Sequence, residues 1–159
     1  MQAPAAPATG RLTVEIIVPC YNEGEGIEGF HNQLSQSLEK LPYAFTIRYV
    51  NDGSTDRTAE ALAGIAARDE RVGIIELSRN FGHQAAVTAG IEHARGRAVV
   101  VIDADLQDPP EVIPELLAKW REGWQVVSAV RGERPGESVF RLLLIKVFYR
   151  VLQRISSVD

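Results

Sequence analysis

Short apolar runs alternate with helix-like patterns along most of this chain, and this alternation restricts the fold more than any other feature. The run Ala98–Ile102, rich in β-branched residues, predicts a strand buried on both faces. Between such runs, residues such as Ile27, Phe30 and Leu34 recur at helical spacing. The predicted strands are Val14–Pro19, Phe45–Asn51, Val72–Leu77, Ala98–Ile102 and Gln125–Val130. Strands that alternate with helices predict a Rossmann-like α/β fold, with a mainly parallel sheet and helices on both faces.

Turn and cap residues delimit the predicted helices. Ser54-Thr55-Asp56 supplies N-cap chemistry for the second helix. The third helix is predicted over His83–Arg95, with Gly96 as its C-cap. Asp108-Pro109-Pro110-Glu111 predicts the start of a fourth helix, which Pro114 is expected to bend.

Composition and charge restrict the class of protein. The 159 residues suit one globular domain with a sizeable core, and a net charge of −4 argues against broad nucleic-acid binding. Residues 131–159 carry six basic and three acidic residues, so a basic tail follows an acidic body. Such a tail favours contact with something anionic. Cys20 is the one cysteine, so no internal disulfide can form. We interpret it as a small apolar side chain that fills space in the core.

The two ends of the chain differ from its middle. Residues 1–11 are rich in Ala and Pro and predict a disordered leader, not a signal peptide. Residues 12–138 are the predicted domain, and residues 139–159 predict an amphipathic basic helix. Its cations Lys146, Arg150 and Arg154 recur every four residues, which suits a helix lying in a membrane interface. Packing on the domain or on a second copy, in a homo-oligomer, is the alternative.

Polar clusters follow three of the predicted strands. They are Pro19–Glu23, Asn51–Asp56 and Asp103–Gln107. Ligands of open parallel sheets bind beyond the carboxyl ends of the strands. The three clusters are therefore expected to meet at one edge of the sheet and to form a single ligand site.

The cluster Asp103-Ala104-Asp105 is the most informative of the three. Two carboxylates at a strand end suit Mg²⁺ or Mn²⁺ holding the phosphates of a nucleotide, because these ions prefer oxygen ligands. Asp105, further from the strand, is favoured as the direct metal ligand, and Gln107 as a neutral oxygen ligand. Asp103 suits a ribose or a metal-bound water. A strand end that simply turns into solvent is the alternative.

The other two clusters suit a nucleobase. Tyr21 offers a flat face for stacking, and the Asp52 carboxylate can accept a hydrogen bond from a base N–H. Structural alternatives stay open for each cluster. Tyr21 can be a half-buried aromatic, Asn51–Ser54 suits a turn, and Asp56 suits a helix cap.

Taken together, these motifs resemble the family 2 glycosyltransferases, which have the GT-A fold. The resemblance rests on Val14–Glu23, Tyr49–Asp56 and Asp103–Asp105. Ser78–Gln84 and Asp103–Pro110 are similar to the polyprenyl-phosphate glycosyltransferases, the group of dolichol-phosphate mannose synthase and of bacterial undecaprenyl-phosphate glycosyltransferases. Asn51 is a departure, since many members have an acidic residue there.

The resemblance implies a site as well as a fold. It implies nucleotide contacts at Pro19, Tyr21, Glu23, Asp52 and Asp103, and a metal–diphosphate site at Asp103, Asp105 and Gln107. It also implies that Arg131 faces the diphosphate or the acceptor phosphate, a role that suits a guanidinium. Asp103, Asp105 and Arg131 are thus the predicted catalytic residues. His83 is left out, because a histidine at a helix start is more often structural.

The implied activity is that of a metal-dependent, inverting hexosyltransferase. It moves a sugar from a nucleotide sugar, UDP-sugar in preference to GDP-mannose, to a polyprenyl phosphate at the cytoplasmic face of a membrane, in synthesis of a cell-envelope glycan or glycolipid. The alternatives are a soluble or polysaccharide acceptor, or a nucleotide-binding domain without turnover. Relatives continue past residue 159, so the chain is expected to be a truncated catalytic domain, soluble in the cytoplasm, that turns over poorly.

Overall fold

The computed structural model describes residues 12–105 and 109–129. Its elements are β1 Thr13–Cys20, α1 Ile27–Glu39, β2 Ala44–Asn51, α2 Thr58–Arg68, β3 Val72–Glu76, α3 His83–Glu92, β4 Ala98–Val101, a 3-10 turn Pro110–Val112 and α4 Ile113–Arg121. All of them belong to one compact unit, Met1–Val127, and a second unit covers Ser128–Asp159. The predicted leader 1–11 and the predicted tail helix 139–159 lie outside the described residues.

The sheet is parallel and has the strand order β3-β2-β1-β4. β1 lies between β2 and β4 and is buried from Val14 to Cys20. The register sets Cys20 beside Asn51, and Ile17 beside Val101. The carboxyl ends of these strands therefore meet at one edge, as the sequence predicts.

Helices cover both faces of this sheet, as the sequence also predicts. On one face, Ile16 of β1 packs with Phe30 of α1, Leu62 of α2 and Ile113 of α4, all fully buried. The opposite face holds a smaller cluster of Ile17, Val50, Ile75 and Ala86. Burying one such large apolar side chain contributes roughly 1.5–3 kcal/mol to stability. Packing on both faces thus fixes the strand ends that carry the polar clusters.

β4 is buried on one face only, so the prediction of burial on both faces is wrong. Val99 and Val101 are 40% and 41% exposed, whereas Val100 is buried. β4 lies at the end of the strand order, and α3 packs on β1 and β2. The outward side of this edge strand therefore keeps its valines exposed.

Residues 125–129 form no strand, and the prediction of a fifth strand is wrong over them. Gly123 has a φ of +104° and turns the chain after α4. Trp124 and Val126 are 62% and 84% exposed. Apolar residues favour a strand only where they can pack on a buried face, and these two do not.

Two helix predictions also need correction. α3 ends at Glu92 with His93 as its C-cap, and Gly96 lies beyond it as a donor to the Glu15 carboxylate. Pro114 lies in the first turn of α4, where the missing N–H is tolerated, so it begins the helix and does not bend it. None of the described helices has the length and apolar character needed to cross a bilayer.

Candidate nucleotide-binding site

A pocket of about 260 Å³ opens at the carboxyl edge of the sheet. It is lined by Pro19, Cys20, Tyr21, Glu23, Asp52, Asn80, His83, Ala86, Asp103, Ala104 and Asp105. All six predicted site residues within the described part of the chain therefore face one cavity. Gln107 and Arg131, the other two, lie outside the described residues.

The loop after β1 is bound to the loop after β2 by side-chain hydrogen bonds. Asn22 has a φ of +56°, its N–H donates to Ser54 Oγ at 3.0 Å, and its Oδ1 accepts from the Thr55 N–H at 2.9 Å. Asn51 Oδ1 accepts from the Ser54 N–H at 3.1 Å, which closes the turn after β2. The two predicted clusters thus form one connected structure.

Asp56 adds a second connection between the same loops. Its Oδ1 accepts from the Thr58 N–H and its Oδ2 from the Gly24 N–H, both at 3.0 Å. The hydrogen bond from the Thr58 hydroxyl is the largest cause that lowers the pKa of Asp56. Asp56 therefore serves the start of α2 and the β1 loop, although Arg57 occupies the N-cap position itself.

Asp52 holds a third loop in place. This buried carboxylate accepts from the Phe81 N–H at 2.8 Å and from the Gly82 N–H at 2.9 Å. Gly53 has a φ of +63°, and a Cβ there would lie 2.3 Å from the Arg79 carbonyl carbon. The segment after β3 thus rests directly on the turn after β2. Asp52 borders the pocket, yet both of its oxygens already serve the backbone.

Tyr21 and Cys20 lie next to each other but differ in role. Tyr21 is 43% exposed and offers its ring to the pocket. Cys20 is buried, and burial, followed by repulsion from Glu23 and other carboxylates, raises its pKa to about 12. A thiol with such a pKa is a poor nucleophile near neutral pH. This agrees with the prediction that Cys20 is a filler.

Carboxylates crowd the pocket. Burial is the largest cause that raises the pKa of Glu23, and repulsion from Asp105 and Asp56 adds to it. The side chain of Asp103 is 45% exposed, so it can reach a ligand. Among the described residues that line the pocket, none is Lys or Arg. A cationic ligand would relieve the repulsion.

The described residues hold no group of three metal-ligating side chains. Mg²⁺ is usually held by one or two carboxylates together with substrate phosphates, and not by an all-protein cage. Asp103 and Asp105, both at the pocket, fit that pattern. These residues could therefore hold Mg²⁺ or Mn²⁺ jointly with a diphosphate.

Asn80 and His83 line the pocket but are not among the predicted site residues. Both follow β3, whose carboxyl end lies at the same edge as the other strand ends. The rule that placed the other clusters would have placed these two as well. The sequence predicts no role for Asn80, and it leaves His83 out because a histidine at a helix start is more often structural.

These features define a parallel α/β protein of the GT-A type. A mannosyltransferase of Pyrobaculum calidifontis, solved with GDP-Man and Mn²⁺, superposes with a TM-score of 0.65 at 28% identity, over 80% of this chain and 38% of that one. Glucosyl-3-phosphoglycerate synthase of Mycobacterium tuberculosis, solved with Mn²⁺ and UDP, gives 0.61 at 26% identity, over 86% and 50%. The predicted fold is confirmed.

The family model of glycosyl transferase family 2 matches residues 15–156, and this chain belongs to that family. The uncharacterized glycosyltransferase YkcC of Bacillus subtilis is 47% identical over 148 residues, which are 93% of this chain and 46% of the relative. Bactoprenol glucosyl transferase of Shigella phage SfV is 38% identical over 146 residues, which are 92% and 48%. The chain spans about half the length of the curated relatives it matches.

Proposed function

We propose that this chain is the donor-binding domain of a metal-dependent, inverting glycosyltransferase. It transfers a hexosyl group from a nucleotide sugar to a polyprenyl phosphate at the cytoplasmic face of a membrane. The observation that carries this proposal is that one pocket brings Tyr21, Asp103 and Asp105 together. Relatives named bactoprenol glucosyl transferases support the lipid acceptor. Their names support glucose as the sugar, and the synthase solved with UDP supports a uridine nucleotide as its carrier.

Residues on the β1 side of the pocket would bind the nucleoside. The exposed ring of Tyr21 can stack on the base, and Pro19 and Glu23, which line the same pocket, would contact the nucleoside. Each oxygen of the Asp52 carboxylate already accepts one backbone hydrogen bond. Because each oxygen has a second lone pair, Asp52 could also accept a hydrogen bond from an N–H group of the base. Its two hydrogen bonds also hold the segment after β3, which lines the same pocket.

Asp103 and Asp105 would hold the divalent cation together with the donor diphosphate. Such a cation, when bound, supplies charge neutralisation for the departing nucleoside diphosphate. Asp105 is the proposed direct ligand, and Asp103 the partner of the ribose or of a bound water. Gln107 would add a neutral oxygen, and Arg131 a fixed cation facing the phosphates.

A phosphate acceptor makes a dedicated general base unnecessary. A phosphate monoester has a second pKa near 6 and is largely dianionic at pH 7, so it can attack without losing a proton. A sugar hydroxyl would need a base to remove its proton. The proposed basic helix over residues 139–159 would bring the domain to the membrane that carries the lipid.

Transfer from radiolabelled donors tests this proposal. The chain is mixed with undecaprenyl phosphate in detergent, Mn²⁺ and either UDP-glucose or GDP-mannose, and the products are partitioned between organic and aqueous phases. Manganese-dependent label in the organic phase from UDP-glucose is expected. Label that leaves the nucleotide sugar but stays in the aqueous phase contradicts the lipid acceptor, and label that moves to a soluble glycan favours a different acceptor.

A further inference from the structure

The segment after β3 forms part of the wall of the pocket. Hydrogen bonds to the turn after β2 hold this segment in place. The Phe81 and Gly82 N–H groups donate to the Asp52 carboxylate, and Gly53 allows the backbone of Arg79 to approach closely. His83 follows directly as the first residue of α3. Because its backbone is fixed on one side by these bonds and on the other by the helix, His83 has a defined position.

The side chain of His83 faces the pocket. His83 and Ala86, one helical turn apart, both line the cavity, so this face of α3 is turned towards it. The ring is 53% exposed, and its Nε2 lies 3.8 Å from Asp103 Oδ1. That separation exceeds the usual hydrogen-bond length of about 2.7–3.2 Å. Both atoms therefore keep the capacity to contact a third group.

The other two histidines show what a structural histidine looks like in this fold. His31 is buried, with Nδ1 3.1 Å from the Tyr49 hydroxyl. His93 has Nδ1 2.8 Å from the Ala89 carbonyl oxygen. Among the described residues His83 has no such hydrogen bond, and its charged neighbour is a carboxylate of the pocket. A structural role therefore explains His83 poorly.

The charge of the pocket indicates what His83 contacts. Glu23, Asp52, Asp103 and Asp105 line the cavity with acceptors, whereas Asn80 and His83 are lining residues whose side chains carry N–H donors. A nucleoside diphosphate is strongly anionic and needs N–H donors near its phosphates. An imidazole N–H beside the Asp103 carboxylate is suited to that task.

We infer that His83 is a further binding residue of this site, which donates a hydrogen bond from Nε2 to the diphosphate of the nucleotide. The inference rests on the proposed function, because it takes the donor to be a nucleotide sugar. It adds a contact from the segment after β3, whereas the proposed base-stacking residue Tyr21 follows β1. The same hydrogen bond would still contact the nucleoside diphosphate when it becomes the leaving group.

Calorimetry of UDP binding with Mn²⁺, on the 159-residue chain, tests this inference. His83→Phe keeps a ring without a donor, and His83→Gln keeps an N–H group near the position of Nε2. His93→Phe, at the other end of α3, is the matched control. We expect His83→Phe to weaken UDP binding about tenfold, and His83→Gln to stay within about threefold of the wild type. His93→Phe should leave UDP affinity unchanged.

Uridine, which has no phosphate, separates a phosphate contact from a general distortion of the pocket. Its binding, followed by ligand-observed NMR, should be the same for the wild type and His83→Phe. Unchanged UDP affinity in His83→Phe, or equal losses for UDP and uridine, overturns the role of His83 and leaves the proposed function intact. If the wild type binds neither UDP nor GDP, both the proposed function and this inference fail.

Discussion

Asp52 shows how one residue can serve structure and ligand binding at the same place. The motif around it suggests contact with a base, whereas its two oxygens accept from the Phe81 and Gly82 N–H groups. A loop that forms one wall of the pocket thus depends on a single carboxylate. A sequence motif can indicate that such a residue belongs to the site. It does not show which of its hydrogen bonds are made to the ligand and which to the protein backbone.

Replacing Asp52 by Asn tests this internal role. The amide group would face a backbone N–H and leave one donor unsatisfied, so we expect the unfolding free energy to fall by about 1–3 kcal/mol. Urea denaturation measures the change. If Asp52→Asn keeps wild-type stability and only nucleotide affinity drops, Asp52 acts on the ligand and not on the loop.

Gly53 carries the second contact to the same loop. Ala at this position would meet both the strain of φ +63° and a Cβ 2.3 Å from the Arg79 backbone. We expect Gly53→Ala to destabilise the fold by at least about 2 kcal/mol. Gly29 in α1 is the matched control, because a Cβ there meets nothing within 4 Å.

The free energy of unfolding of the control variant, Gly29→Ala, should change in the opposite direction. Ala is a better helix former than Gly, so Gly29→Ala should stabilise the protein by up to about 1 kcal/mol. Thermal and urea unfolding of the two variants give the comparison. A Gly53→Ala variant as stable as the wild type would contradict the close packing of the Arg79 segment on this turn.

At the scale of elements, a partly buried polar network joins α1, β2 and the turn before β3. His31 lies 3.1 Å from the Tyr49 hydroxyl through Nδ1 and 3.4 Å from Asp69 Oδ2 through Nε2. Arg71 in turn donates to the Asp69 carboxylate. Burial is the main cause that lowers the pKa of His31 from 6.5, although Asp69 opposes the shift.

This network makes stability depend on pH. Because the pKa of His31 is lower in the folded state, the unfolded chain binds more protons once the pH falls below about 6.5. The contribution of His31 is therefore complete above that pH and decreases as the pH falls towards the folded pKa, by up to about 1.4 kcal/mol per pH unit. Urea denaturation between pH 5 and pH 8 should show this slope.

His31→Asn removes the titrating ring and keeps a polar group near Tyr49. We expect the slope between pH 5 and pH 7 to flatten in this variant, while the exposed His93→Asn keeps it. Asp69 also has a lowered pKa, but its contribution is lost only at a lower pH, below its ordinary value of 3.8. An unchanged slope in His31→Asn would rule out His31 as its source.

The four strands were predictable because each combines apolar, β-branched residues with turn residues at its ends. Residues 125–129 look similar in sequence but form no strand, since burial and not composition decides the outcome there. The one-sided burial of β4 likewise depends on its place at the end of the sheet. The local sequence pattern predicts neither the order of the strands nor which strands α3 covers.

At the scale of the whole molecule, the site was largely predictable for a topological reason. Parallel strands send their carboxyl ends to one edge, so clusters far apart in sequence meet in one pocket. Asn80 was not predicted, and His83 was left out because a histidine at a helix start is more often structural, although both follow β3 at this same edge. The hydrogen bonds of Asn22, Asp52 and Asp56 that build the loops could not be foreseen, since they depend on positions set by the assembled sheet.

The central claim is that this pocket binds a nucleoside diphosphate together with a divalent cation held by Asp103 and Asp105. Calorimetric titration of UDP, with and without Mn²⁺, tests it most directly on the wild type, Asp103→Ala, Asp105→Ala and the surface control Glu60→Ala. We predict that Mn²⁺ strengthens UDP binding at least about tenfold in the wild type and in Glu60→Ala, and that each Asp substitution removes this gain. Equal UDP affinity with and without Mn²⁺ in the wild type, or a gain that survives in both Asp variants, would contradict the account.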